Sequence, residues 1–169
     1  MQTVPFRIST LVFIRNNEGR LLLLKRRNTP NLNKWSPIGG KLNFLIGESP
    51  FECAIRETFE ETGLNIDEKD LKLLAYISEK NYEGSGHWLM FLFDCLASLN
   101  DLPPNGPEGK FAWFDREEVD NLAIPETDHL LVWPIYDKRH GEFTALRADF
   151  SEPDDPKVLV EAPPTTHPQ

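Results

Sequence analysis

The sequence predicts an α+β layered domain, and three observations carry that expectation. Apolar, β-branched and aromatic runs bounded by turn residues recur along the chain and read as strands. One amphipathic segment, Ser49 to Gly63, carries helix-end residues at both ends. Strands and helices mix without a strict βαβ alternation, which disfavours a doubly wound sheet. The 169 residues suit one domain, long enough to bury a substantial core.

Taken in order, Phe6 to Ile14 is the first strand. Asn16-Asn17-Glu18-Gly19 is turn chemistry, and Arg20 to Lys25, with four consecutive leucines, pairs back as a hairpin. Asn28 to Lys34 is a polar loop. Lys34 to Glu48 is irregular and holds Gly39, Gly40 and Gly47. Ser49 then suits an N-cap, Pro50 the first helical position, and Glu52 completes a capping box. Gly63 ends the helix as a C-cap glycine. Phe51, Ala54, Ile55, Thr58, Phe59 and Thr62 recur at helical spacing as its inward face. Leu71 to Ser78 and Trp88 to Ala97 are further strands, followed by a loop from Asn100 to Pro107. Lys110 to Phe114 is a short strand and Asp115 to Asn121 a helical turn. Asp128 to Tyr136 is a second helix that Pro134 should kink or end. Gly141 to Asp149 is a last strand. Beyond it the chain turns Pro-rich and acidic. Residues 1–150 are therefore expected to form the domain, and 151–169 a tail or arm.

Apolar residues at 40% and charged residues at 27% are ordinary for a soluble globular protein. A formal net charge of −9 argues against nucleic-acid or anionic-membrane binding, which needs a basic face. It does not exclude a phosphate substrate, because a divalent cation supplies positive charge that the residue count omits. The two cysteines, Cys53 and Cys95, read as reduced thiols without partners at metal-ligand spacing. Leu11-Val12-Phe13-Ile14 is too short for a signal or a membrane span. The expectation is a cytoplasmic protein.

On the predicted helix Glu57, Glu60 and Glu61 stand at i, i+3 and i+4 and point the same way. Like charges at this spacing repel by roughly 0.2–0.5 kcal/mol per pair. A hard divalent cation removes that repulsion, and Mg²⁺ takes a few carboxylates plus substrate phosphates. By itself such a helix would be a solvated acidic face, partly neutralised by Arg56 reaching Glu52 or Glu60. The surrounding residues change that balance. Gly40 is followed by seven residues, Glu48, seven more, then Arg56-Glu57-Thr58-Phe59-Glu60-Glu61-Thr62-Gly63-Leu64.

This run resembles the Nudix box, G-x5-E-x7-R-E-U-x-E-E-x-G-U, with U a bulky aliphatic. Gly40, Glu48, Arg56, Glu57, Glu60, Glu61, Gly63 and Leu64 match in identity. It departs in two ways. The gap from Gly40 to Glu48 is two residues longer, within Asn43-Phe44-Leu45-Ile46, and Thr58 stands where an aliphatic is expected. The insertion should alter the loop's path more than the helix, and it puts inferences about Glu48 in question. Outside the box, Leu22-Leu23-Leu24-Lys25-Arg26, Lys34-Trp35-Ser36-Pro37-Ile38-Gly39-Gly40-Lys41 and Pro107-Glu108-Gly109-Lys110-Phe111-Ala112-Trp113-Phe114 also resemble family segments.

The resemblance implies an α/β/α sandwich with a mixed β-sheet, and hydrolysis of a nucleoside diphosphate linked to a further group. It implies Mg²⁺, with Mn²⁺ as a substitute. Glu60 and Glu61 would be the main metal ligands, and Glu57 a third ligand or the general base. Arg56 would hold the acidic cluster in place, and Gly40 would offer its backbone carbonyl to the metal. Glu108 is a candidate remote ligand, set against a solvated loop carboxylate. Arg26 and Lys41 are candidates for substrate phosphates, set against plain surface solubility. Trp35, Trp88 and Trp113 read as core, and Cys53 as a small packing side chain. Asp120 and Asn121 lie where some relatives read a base edge.

The favoured substrate is a nucleoside triphosphate, including oxidised ones such as 8-oxo-dGTP, cut to the monophosphate. ADP-ribose or a nucleotide sugar is the alternative. Relatives of that kind often carry an extra N-terminal sheet, and only five residues precede the first strand here. A dinucleoside polyphosphate is a third option. From another class comes a non-catalytic Nudix-fold binding module. Such modules usually lose box carboxylates, and this chain keeps them. The tail leaves a homodimer open as an assembly.

Overall fold

The structure, a computed structural model, describes residues 4–84 and 86–164. Its centre is one mixed sheet, nine-stranded among the described residues. The strands are β1 (Phe6–Arg15), β2 (Leu21–Arg26), β3 (Trp35–Ser36), β4 (Ile38–Lys41), β5 (Leu71–Lys80), β6 (His87–Ser98), β7 (Gly109–Phe114), β8 (Thr144–Asp149) and β9 (Lys157–Ala162). Across the sheet the order is β3-β2-β1-β6-β5-β8-β9, with β4 beside β1 and β7 beside β2. β1 runs parallel to β6 and β5 parallel to β8. The remaining pairs are antiparallel. Among the described residues the α-helices are four: α1 (Pro50–Thr62), α2 (Arg116–Val119), α3 (Asp128–Leu131) and α4 (Trp133–Asp137).

Strand alternation builds the layers, because successive side chains leave a strand on opposite faces. Val12, Ile14, Leu22 and Leu24 pack with Ala54 of α1 and with Phe93 on one face. Phe13, Leu21 and Leu23 pack with Leu131, Trp133 and Tyr136 on the other. The four consecutive leucines are thus divided between two cores, each at most 2% exposed. Full burial of a leucine stabilises by roughly 2 kcal/mol. A strand buried on both faces needs an apolar residue at every position, which is what Leu21–Leu24 supplies. The result is the expected α/β/α sandwich.

The expected hairpin is present only at its turn. Asn16 Oδ1 accepts from the N–H groups of Glu18 and Arg20, and β1 and β2 register at Arg15 opposite Leu21. Beyond that pair β1 lies between β4 and β6, and β2 between β3 and β7. α1 begins and ends where its caps predict. Ser49 Oγ accepts from Glu52 N–H, Glu52 accepts from Ser49 N–H, and Gly63 adopts φ 74°. Phe59, expected to face inward, is 57% exposed. It lies at the margin of the stripe formed by Phe51, Ala54, Ile55 and Thr58, outside the contact with the sheet. Pro134 divides the second expected helix into α3 and α4, because it has no N–H to continue the ladder. Six residues of the stretch expected as tail form β9, paired antiparallel to β8 at the sheet edge. Its Lys-Val-Leu-Val-Glu-Ala sequence lacks an apolar–polar alternation and five of its six residues are exposed, so no pattern marked it as a strand. Among the described residues no helix is long and apolar enough to cross a membrane.

Candidate active site

Arg56 organises one side of α1. Its Nε and Nη2 donate to the two carboxylate oxygens of Glu48 at 2.6 and 2.9 Å. Nη1 donates to Glu57 at 2.6 Å and to Glu60 at 3.1 Å, and Nη2 also reaches the Lys41 carbonyl at 3.2 Å. A rigid planar fork suits this set of acceptors. Hydrogen bonding from Arg56 holds the Glu48 carboxyl below its ordinary range, and the same contacts raise the guanidinium.

The two-residue insertion leaves this pairing intact. Asn43 N–H donates to Glu48 Oε2 at 2.7 Å, Glu48 N–H donates to the Asn43 carbonyl at 3.2 Å, and Leu45 N–H donates to Asn43 Oδ1 at 3.1 Å. The loop closes on itself as a single 3-10 turn, Phe44–Ile46, standing outside the fold. Glu48 therefore keeps its place beside Arg56 despite the altered spacing.

The Gly39-Gly40 pair brings β4 against the acidic face. A Cβ on Gly40 would come 2.1 Å from Glu57 Oε1, and one on Gly39 would come 1.9 Å from the Thr10 carbonyl oxygen. Only glycine lets β1, β4 and the Glu57 carboxylate approach this closely. The Gly40 carbonyl accepts a long contact from Cys53 Sγ at 3.6 Å. Burial pushes the Cys53 thiol up to about 11, which fits an inert packing residue.

Burial also raises Glu57, against the opposing pull of Arg56. Glu61 is more extreme. It follows Ala54 by seven residues, nearly two turns, and so stands above a residue packed in the core. Burial pushes it up to about 8; Glu57 and Glu108 add to the rise, while the Gly39 N–H and Arg26 oppose it. Its Oε2 atom is buried without a hydrogen-bond partner.

One cavity of about 760 Å³ joins these groups. Arg26, Gly40, Lys41, Glu57, Glu60, Glu61 and Glu108 all line it. Arg26 Nε donates to the Pro30 carbonyl at 2.9 Å, and Lys41 Nζ lies 5.7 Å from the Trp88 ring centroid. Every residue the sequence nominated for metal or phosphate binding thus borders the same space. Asp120 and Asn121 do not; Asp120 pairs with Arg116 at 3.1 Å. Two residues that the sequence did not single out, Glu79 and Asp128, border it instead. Glu79 continues the inward alternation of Ala75 and Ile77, just past the expected end of its strand. That register was the available signal.

The donor set fits a hard cation. It consists of oxygens, and the buried Glu61 oxygen beside two further carboxylates has no hydrogen-bond partner. Among the described residues no group of three or more His, Cys, Asp or Glu side chains is placed to hold an ion. Mg²⁺ does not require one, since it keeps several waters and takes one or two carboxylates with substrate phosphates.

Comparison with known proteins agrees with this arrangement. The NUDIX domain family model matches residues 5–133. An uncharacterised Nudix hydrolase, YvcI of Bacillus subtilis, is 30% identical over 131 residues, covering 75% of this chain and 80% of that protein. An RNA pyrophosphohydrolase of Bartonella henselae is 26% identical, covering 86% and 96%. The crystal structure of the mutator MutT protein from Bacillus halodurans superposes with a TM-score of 0.71 at 22% identity, covering 94% and 99%. The chain belongs to the Nudix family and is a Nudix hydrolase.

Proposed function

We propose that this hydrolase cuts a nucleoside triphosphate to the monophosphate, using Mg²⁺, with Mn²⁺ as a substitute. Glu60, Glu61 and the Gly40 carbonyl would hold the cation, with Glu57 and Glu108 as further oxygen donors. The cation, when bound, neutralises phosphate oxygens and makes water a better nucleophile. Glu57 is suited to accept the proton of that water, because burial makes its carboxylate more basic than usual. Arg56 positions Glu57 and Glu60 rather than contacting substrate. Arg26 and Lys41 bring cationic groups to the cavity wall for the phosphate chain.

The cavity carries this reading. It runs from the box carboxylates to Glu79, Trp88 and Asp128, and about 760 Å³ is the size of a small-molecule site. A second substrate, the triphosphorylated 5′ end of an RNA, is favoured by the name of the Bartonella henselae relative. The net charge of −9 weighs against extended contact with a nucleic-acid backbone.

The test is hydrolysis of a panel: nucleoside triphosphates, 8-oxo-dGTP, ADP-ribose, dinucleoside polyphosphates and a 5′-triphosphorylated oligonucleotide, with Mg²⁺ and with EDTA. Mg²⁺-dependent release of a nucleoside monophosphate from free triphosphates is expected. Turnover of the oligonucleotide alone would replace the proposed substrate with the second.

A further inference from the structure

The sheet ends on an open strand. β9 follows β8 at its edge, and among the described residues no strand pairs with the other side of β9. Backbone N–H and C=O groups along that side are a template for a further strand. Val158, Leu159 and Val160 are 41%, 50% and 40% exposed, three consecutive apolar residues on this edge. Proline cannot donate to a ladder, and Pro156 and Pro163 bracket β9 rather than interrupt it.

The two faces of β9 carry different chemistry. On one face Val158 registers opposite Ala148 and Val160 opposite Leu146, both buried in the core packed against α3 and α4. The two valines extend the rim of that core. On the other face Lys157 registers opposite Asp149 and Leu159 opposite Arg147. Glu161 pairs with Arg147, Oε1 to Nε at 3.1 Å. The register with β8 shifts at Glu161, past the three apolar residues, so their stretch of the ladder stays regular.

We infer that β9 is the docking edge for a second copy of this chain, joined by antiparallel pairing of β9 with β9 about a two-fold axis at Leu159. Such an interface is isologous, so the strand has to be complementary to itself. A two-fold axis normal to the sheet keeps each residue on its own face, so it falls on a residue and not between two. Centred on Leu159, it sets Val158 opposite Val160 of the copy, Leu159 opposite Leu159, and Lys157 opposite Glu161. Apolar residues then meet apolar ones, and each end charge meets its opposite. On the charged face the signs alternate from Asp149 through Lys157 to Glu161 and Arg147 of the copy. Moving the axis to Val158 sets Lys157 opposite Leu159, and moving it to Val160 sets Glu161 opposite Leu159. Parallel pairing in register stacks Lys157 on Lys157 and Glu161 on Glu161. Charge complementarity thus selects one register and one orientation. A ladder this short makes a small interface, so the dimer is weak and reversible. It does not depend on the substrate proposed above.

The test is sedimentation velocity of the full chain over a concentration series reaching roughly 200 µM, suited to a small, weak interface. The sedimentation coefficient is expected to rise with concentration toward that of a dimer. K157E sets glutamate against Glu161, and E161K sets lysine against Lys157, twice in each dimer. L159D sets two aspartates against each other at the axis and disturbs no ion pair. Each variant, checked for folding by thermal melting, should stay monomeric where the parent associates. Mixed in equal amounts, K157E and E161K should associate again, because the two new charges face each other and one native Lys157–Glu161 pair returns. A parent that is monomeric throughout overturns the proposal. So does undiminished association of L159D, which would place the interface elsewhere. Folded charge variants that stay apart on mixing overturn the pairing about Leu159.

Discussion

The two ends of the cavity treat buried acid in opposite ways. At the box end Glu48, Glu57 and Glu60 converge on one guanidinium, which offsets part of their charge before any ligand arrives, while Glu61 beside them keeps an unpartnered oxygen. At the far end Glu79 and Asp128 are buried more completely than Glu60, and among the described residues no cation forms an ion pair with either. One end is preorganised by the protein alone. The other is held by burial alone, which raises its carboxyls to about 8 and about 7. Preorganisation suits groups that must hold a fixed geometry during reaction.

The sharpest separation of the two ends comes from the box carboxylates. Glu60→Gln and Glu61→Gln should each lower kcat with Mg²⁺ by on the order of 10²-fold or more, by removing a charged oxygen donor. Near-normal turnover in either would remove that residue from the catalytic end of the cavity. Arg56→Lys comes next. It keeps the charge but loses the fork, so Glu48 and Glu57 cannot both be held. Activity should fall by roughly 10- to 100-fold, as for other residues that orient ligands. Melting should also show a loss of about 3 kcal/mol, because the Glu48 carboxylate, 3% exposed, is left poorly paired. A change in activity without any loss of stability would mean that Arg56 touches substrate rather than positioning its neighbours.

The contrast also explains what could be read from the sequence. The box end was legible because helical geometry is local. Glu57, Glu60 and Glu61 fall on one face by spacing alone, and Ser49, Glu52 and Gly63 mark the ends of their helix. Even the insertion could be placed in a loop, although only the hydrogen bonds between Asn43 and Glu48 show why it does no harm. The two cores were legible in the run Leu21–Leu24. The far end was not. Glu79 and Asp128 reach one cavity from β5 and from the start of α3, a tertiary arrangement that no window of sequence contains. Asp120, nominated in their place, is drawn off by Arg116. β9 escaped for a related reason, since an exposed edge strand carries no burial pattern.

Glu48 and the far pair should titrate in opposite directions, with Glu61 at the box end following the far pair. Glu48 is lowered from its ordinary 4.5, so its stabilisation is present above that value and is lost as pH falls. Glu79 and Asp128 are raised from 4.5 and 3.8 to about 8 and about 7. Between those limits the folded chain keeps protons that the unfolded chain has lost. Stability from this end is therefore greatest on the acid side and falls as pH rises, by about 1 kcal/mol per pH unit for each proton retained. Melting in EDTA should show a lower Tm at pH 8 than at pH 5. Glu79→Gln should flatten that slope. A slope unchanged by the substitution would mean that Glu79 finds a partner in solution.

The smallest effect belongs to the inserted turn, which lies outside both ends. Leu45 is 97% exposed, and Phe44 and Ile46 are 64% and 72% exposed. Their backbone is held by Asn43 and Glu48, not by their own side chains. Leu45→Ser removes apolar surface that touches little, so stability should change by less than about 0.5 kcal/mol. Turnover with Mg²⁺ should stay within about twofold of the parent, since a surface change of that size leaves the Glu48–Arg56 pair in place. A several-fold rise in KM with kcat preserved would place this turn against the bound substrate. The cavity would then have a third wall that closes only when occupied, and the division into two ends would have to be redrawn around it.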